Sequence, residues 1–194
     1  MADYYNNIIH KVDAKGKLLA IKDMTNDEWD VTDNNKYIIE FVEYGKNNHA
    51  TKKVKFFIDA DKLTAYLGQI TSGNYSRSVG WQNVFAGSKS AISKRKVNGD
   101  MQTMVNGVES RTLSIGLNKS GYFVFKVDVK PGKIGANGQI KPNGDSVDNM
   151  YFSLDKTQAI VLSKTVETYT TAKKTLGISN YLKNKRKRIK NSRN

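Results

Sequence analysis

One local pattern occurs twice in this chain, and it limits the available folds more than any other feature. Val54, Phe56 and Ile58 alternate with Lys53, Lys55 and Phe57, the period of two that gives a strand one buried face. At Asp59 the period changes to that of a helix, carried by Leu63, Tyr66, Leu67 and Ile70. Further on, Met150, Phe152 and Leu154 alternate with Asn149, Tyr151 and Ser153. Asp155, followed three residues later by Gln158, is a variant of the capping box, and the stripe Ala159, Leu162, Val166 and Tyr169 predicts a helix over about 156–173. Aligning Ile58-Asp59 with Leu154-Asp155 superimposes Leu63 on Ala159, Tyr66 on Leu162 and Ile70 on Val166. The chain reads as a duplication.

More strands precede each unit. Residues 18–22 and 37–44 read as strands in the first half, with a turn over 45–50. In the second, Leu113, Ile115 and Leu117 lead through a turn at 118–121 to Phe123, Phe125, Val127 and Val129, a hairpin pattern. A Gly- and Pro-bearing loop over 130–147, with a short strand around Ile140, connects to the last strand. The expected class is α+β, two pseudo-repeated units of antiparallel sheet followed by a helix. Both belong to one domain, 1–176, as repeats over about 12–71 and 110–174. The segment 72–109 between them is rich in Gly and Ser yet carries Arg77, Trp81 and Phe85, residues that plain linkers lack, so part of it is expected to pack on the body or on a ligand.

Charge narrows the function. The net charge is +14, and residues 183–194, KNKRKRIKNSRN, hold seven positive charges and no acid. Such a block repels itself and buries nothing, so 177–194 is expected to be a disordered basic tail until it meets an anion, with Lys185, Arg186, Lys187 and Arg188 as phosphate contacts. There is no cysteine and only His10 and His49, which excludes thiolate chemistry, disulfides and multi-histidine metal sites. The acidic stretch Asp23, Asp27, Glu28, Asp30 and Asp33 reads as an exposed loop, and Gly132, Gly135 and Gly138 lack phosphate-loop spacing. No catalytic constellation, metal site or cofactor is expected. Without a secretory pattern or an 18-residue apolar run, a cytoplasmic protein with no membrane partner is expected.

Residues out of phase with the core are left for a partner: Lys53, Lys55 and Phe57 in the first half, Tyr122, Lys126 and Tyr151 in the second. Cations interleaved with rings on a sheet suit unpaired strands, the cations tracking phosphates while the rings stack on bases of any identity. The binding expected is sequence-tolerant and salt-sensitive, to single-stranded DNA or RNA.

The duplicated plan, the sequence pI near 9.8, the run Lys15-Gly16-Lys17-Leu18-Leu19-Ala20, the hairpin at Ser120-Gly121-Tyr122-Phe123 and the helix start over 154–162 together resemble the Whirly and PC4-like group of single-stranded nucleic-acid binders. The resemblance spans roughly residues 12–173. It implies two sheets, each followed by a helix, around a pseudo-twofold axis, and association into dimers or tetramers through the helices. It also makes Lys15 and Lys17 candidate contacts. Lysine outnumbers arginine 26 to 6 and asparagine occurs 19 times, a bias that AAA and AAT codons produce in a low-GC bacterium, plasmid or phage. The expected role is coating single strands in replication, recombination or transfer of such a genome, with replication proteins as further partners. The alternative is a virion-associated or packaging protein that holds nucleic acid by its tail; an OB-fold binder is disfavoured by the repeated strand-helix units.

Overall fold

The computed structural model describes residues 8–23, 35–73, 79–86, 95–97, 100–102, 108–134, 136 and 140–191. The first half forms β1 (Ile8–Ala14), β2 (Lys17–Asp23), β3 (Lys36–Tyr44) and β4 (Ala50–Asp59), an antiparallel sheet in that order, followed by α1 (Ala60–Thr71). Next come β5 (Val79–Ala86), a separate hairpin of β6 (Arg95–Val97) and β7 (Asp100–Gln102), then β8 (Val108–Leu117), β9 (Phe123–Ile134), β10 (Ile140–Pro142), β11 (Asp148–Leu154) and α2 (Lys156–Asn191). In the second sheet β9 pairs β8 on one side and both β10 and β11 on the other, with β5 beyond β8. The fold is α+β with two sheet-then-helix units, as the repeated pattern predicts.

Local chemistry explains the turns and caps. Gly16 closes the β1–β2 hairpin with φ 74°, a left-handed position that disfavours any side chain. At the start of α2, Gln158 N–H donates to Asp155 Oδ1 at 2.8 Å and Asp155 N–H donates to Gln158 Oε1 at 3.1 Å, the reciprocal pair predicted. Asp59 makes no such cap on α1; the first helical N–H, of Ala60, donates instead to the carbonyl of Asn35 at 2.8 Å.

Strand register makes the duplication quantitative. Ile39 stands opposite Ile21 and Phe56 in the first sheet, and Phe125 opposite Ile115 and Phe152 in the second. Combined with the alignment of Ile58 on Leu154, this makes Lys17 the counterpart of Arg111, Glu40 of Lys126, Lys52 of Asp148, Lys55 of Tyr151 and Leu67 of Ser163. Two counterparts in contact must lie on the axis that relates the halves, and two such pairs exist. Lys52 forms an ion pair with Asp148, and Ser163 Oγ donates to the carbonyl of Leu67 at 2.7 Å. An exact repeat would set lysine against lysine; divergence has made the pair attractive. Off the axis the seam is also matched, for Arg111 donates to the carbonyl of Lys55 while its counterpart Lys17 lies over the Tyr151 ring.

One continuous core fills the space between the sheets and the helices, including Ile39, Phe56, Leu63 and Leu67 of the first unit and Phe125, Phe152, Leu162 and Val166 of the second. A polar network stitches α2 across the first sheet. Tyr37 and Thr64 hydroxyls meet Thr170 Oγ1 at 2.8 Å and 3.0 Å, and Asp23 accepts from Tyr169 and Lys173, each at 2.9 Å. Asp23 is thus a buried structural group rather than part of an exposed acidic loop; Asp27, Glu28, Asp30 and Asp33 lie outside the described residues.

Two differences from the sequence expectation have physical reasons. Strand β5 lies within the segment read as a connection, because its glycine and asparagine obscured a strand that pairs along all of β8. Helix α2 continues to Asn191, through the segment expected to be disordered: lysine, leucine and arginine are good helix formers, and no proline interrupts them. No helix among the described residues is long and apolar enough to cross a membrane.

Candidate nucleic-acid interface

The outer face of the second sheet collects three of the expected residues. Alternation in β11 buries Met150, Phe152 and Leu154 and therefore turns Tyr151 outward, where it is 54% exposed. Lys126 of β9, also exposed, is its cross-strand partner. Tyr122, 46% exposed, stands at the β8–β9 turn, which Asn118 organises by accepting at Oδ1 from the N–H groups of Ser120 at 3.0 Å and Tyr122 at 2.9 Å. Lys17 reaches this face from the other half. Its Nζ sits 4.0 Å from the centre of the Tyr151 ring while also pairing with Glu43 at 3.2 Å. One side of the ring is thereby held by a cation and the residue stays half exposed, so the ring is ordered before any base arrives. Lys15 lies exposed in the adjacent β1–β2 turn.

The β9–β10 ladder adds an unexpected feature where the sequence suggested only a loop. Lys133 stands directly opposite Lys141, both exposed, a like-charge pair that destabilises a sheet in isolation and that an anion would relieve. Among the described residues, Lys126, Lys133 and Lys141 have no ion-pair partner.

The first sheet's outer face is different. Lys53 and Lys55 are present on β4 as expected, yet both converge on Glu40 of β3, at 2.6 Å and 3.8 Å, and Lys22 of β2 pairs with the same carboxylate. Glu40 is 2% exposed. Burial opposes its ionisation, but hydrogen bonds from Lys22 and Lys53, reinforced by their charge, hold its carboxyl below the ordinary range. Phe57, opposite Ile38 on this face, is half-buried. Glu40 was legible in principle as the single acid inside the apolar run YIIEFV, facing a strand of lysines.

The remaining candidates are placed less fully. Register sets Trp81 opposite the core residue Leu113, and Lys185, Arg186, Lys187 and Arg188 fall in the distal part of α2. Arg77 lies outside the described residues. Among the described residues, no group of three or more acids and histidines is placed to hold a metal ion.

No family model matches the sequence, and no curated protein matches it. Among solved structures, the crystal structure of WHY1 from Arabidopsis thaliana is similar, with a TM-score of 0.48 and 10% identity over 83% of this chain and 81% of that one. The functional reading rests on the residues of this chain.

Proposed function

We propose that this protein binds single-stranded nucleic acid, DNA foremost, without reading its sequence, and that it acts in replication, recombination or transfer of a phage, plasmid or low-GC bacterial genome. The observation that carries the reading is the outer face of the second sheet, where Tyr151 stands ordered and exposed between Lys17 and Lys126. A cytoplasmic homo-oligomer coating unpaired strands fits that role, with the basic end of α2 adding phosphate affinity of no strand preference.

The packaging alternative assigns all binding to that basic end, and truncation separates the two. The ion pairs of α2 with the body end at Lys174, which meets Asp61 at 2.7 Å, so residues 1–180 retain every described body contact. Fluorescence anisotropy of 1–194 and 1–180 against a labelled single strand of roughly 30 bases and the matching duplex is the test, at low and moderate salt. Both forms are expected to prefer the single strand. If 1–180 binds neither, the body is a protein-interaction module and the packaging reading replaces this one.

A further inference from the structure

The halves are related by a pseudo-twofold axis, so their outer faces can be compared position by position. On the second sheet the cross-strand pair is Lys126 with Tyr151; at the same place on the first sheet it is Glu40 with Lys55. The central strand has exchanged a cation for an acid, and the neighbouring strand has exchanged a ring for a cation. We propose that the two faces have diverged in function: single strands are taken by the second sheet, and Glu40 closes the lysines of the first to phosphate. This inference rests on the single-strand reading above and names which face performs it.

Three observations carry it. Glu40 is buried at the middle of β3, so it cannot swing away from the lysines around it. Lys22, Lys53 and Lys55 all direct their ammonium groups at that one carboxylate, so a phosphate reaching any of them must displace an acid fixed by the sheet. Finally, no aromatic ring stands where Tyr151 stands on the other face; Phe57 occupies the position of Ser153 and is half-buried, so a base has nothing equivalent to stack on. The first face is a closed charge cluster, and the second is an open platform.

The experiment uses the full chain and an oligothymidylate probe of roughly 30 bases, titrated over a range of salt. Lys53→Gln combined with Lys55→Gln is expected to change affinity by less than about twofold, because those cations are already committed, whereas Lys126→Gln lowers it several-fold. Glu40→Gln is expected to strengthen binding and to steepen the dependence of log K on log salt by about 2, since each of three released cations adds roughly 0.7 on a single strand. Circular dichroism establishes that Glu40→Gln is folded, and the lysine variants decide the matter if it is not. Loss of affinity in the Lys53/Lys55 variant equal to that in Lys126→Gln overturns the inference, as does an unchanged salt slope in folded Glu40→Gln. Failure of the unaltered chain to bind single strands overturns the underlying reading as well, so the two failures are distinguishable.

Discussion

Replacing Asp23 with alanine is expected to lower the folding free energy by about 3–4 kcal/mol, because it strands a buried cation. Asp23 and Lys173 are 2% and 10% exposed at their side chains and 2.9 Å apart, and the same carboxylate accepts from Tyr169 at 2.9 Å. Removing the acid leaves Lys173 between a sheet and a helix with little access to water, near the Tyr37 ring. The contact also closes a loop across nearly the whole fold, so its loss loosens α2 from β2. Tyr169→Phe deletes one hydrogen bond to the same acid and is expected to cost about 1 to 2 kcal/mol. Urea denaturation of the two variants beside the unaltered chain checks this. An Asp23→Ala midpoint no lower than that of Tyr169→Phe would show that the pair contributes nothing beyond one hydrogen bond.

The second large effect concerns binding. Combining Tyr151→Ala with Lys126→Gln is expected to weaken affinity for a single strand by about 30-fold or more at moderate salt, since one stacked base contributes about 1–3 kcal/mol and one phosphate contact adds to it. Both side chains are exposed, so stability should be unchanged. Tyr151→Phe preserves the ring and is expected to bind as the unaltered chain does. Affinity of the double variant within about threefold of the original, in a titration on a single strand, would remove the second sheet's face from the site.

The fold was largely legible because both halves depend on period-two alternation that ends at a helix start, as at Ile58-Asp59 and Leu154-Asp155. Strand β5 was not, because pairing with β8 outweighs the low strand preference of Gly80 and Asn83. The candidate site was half legible. Tyr151 and Lys126 could be found from phase alone, since phase gives the face. Whether a cation on that face is available depends on its neighbour across the sheet, which phase does not give: Lys53 and Lys55 have the same pattern as an open platform, and only the β3–β4 register reveals Glu40 between them. Lys17 shows the same limit from the other direction. Its position over Tyr151 joins residues from opposite ends of the chain, and only the packing of β2 beside β11 brings them together.

The central claim is that unpaired bases lie on the outer face of the second sheet, and photo-crosslinking tests it most directly. A single strand carrying bromouracil, irradiated with the full chain and digested, should yield peptide adducts at Tyr151 and Tyr122. Adducts confined to Phe57 on the first sheet or to the basic end of α2 would contradict the account.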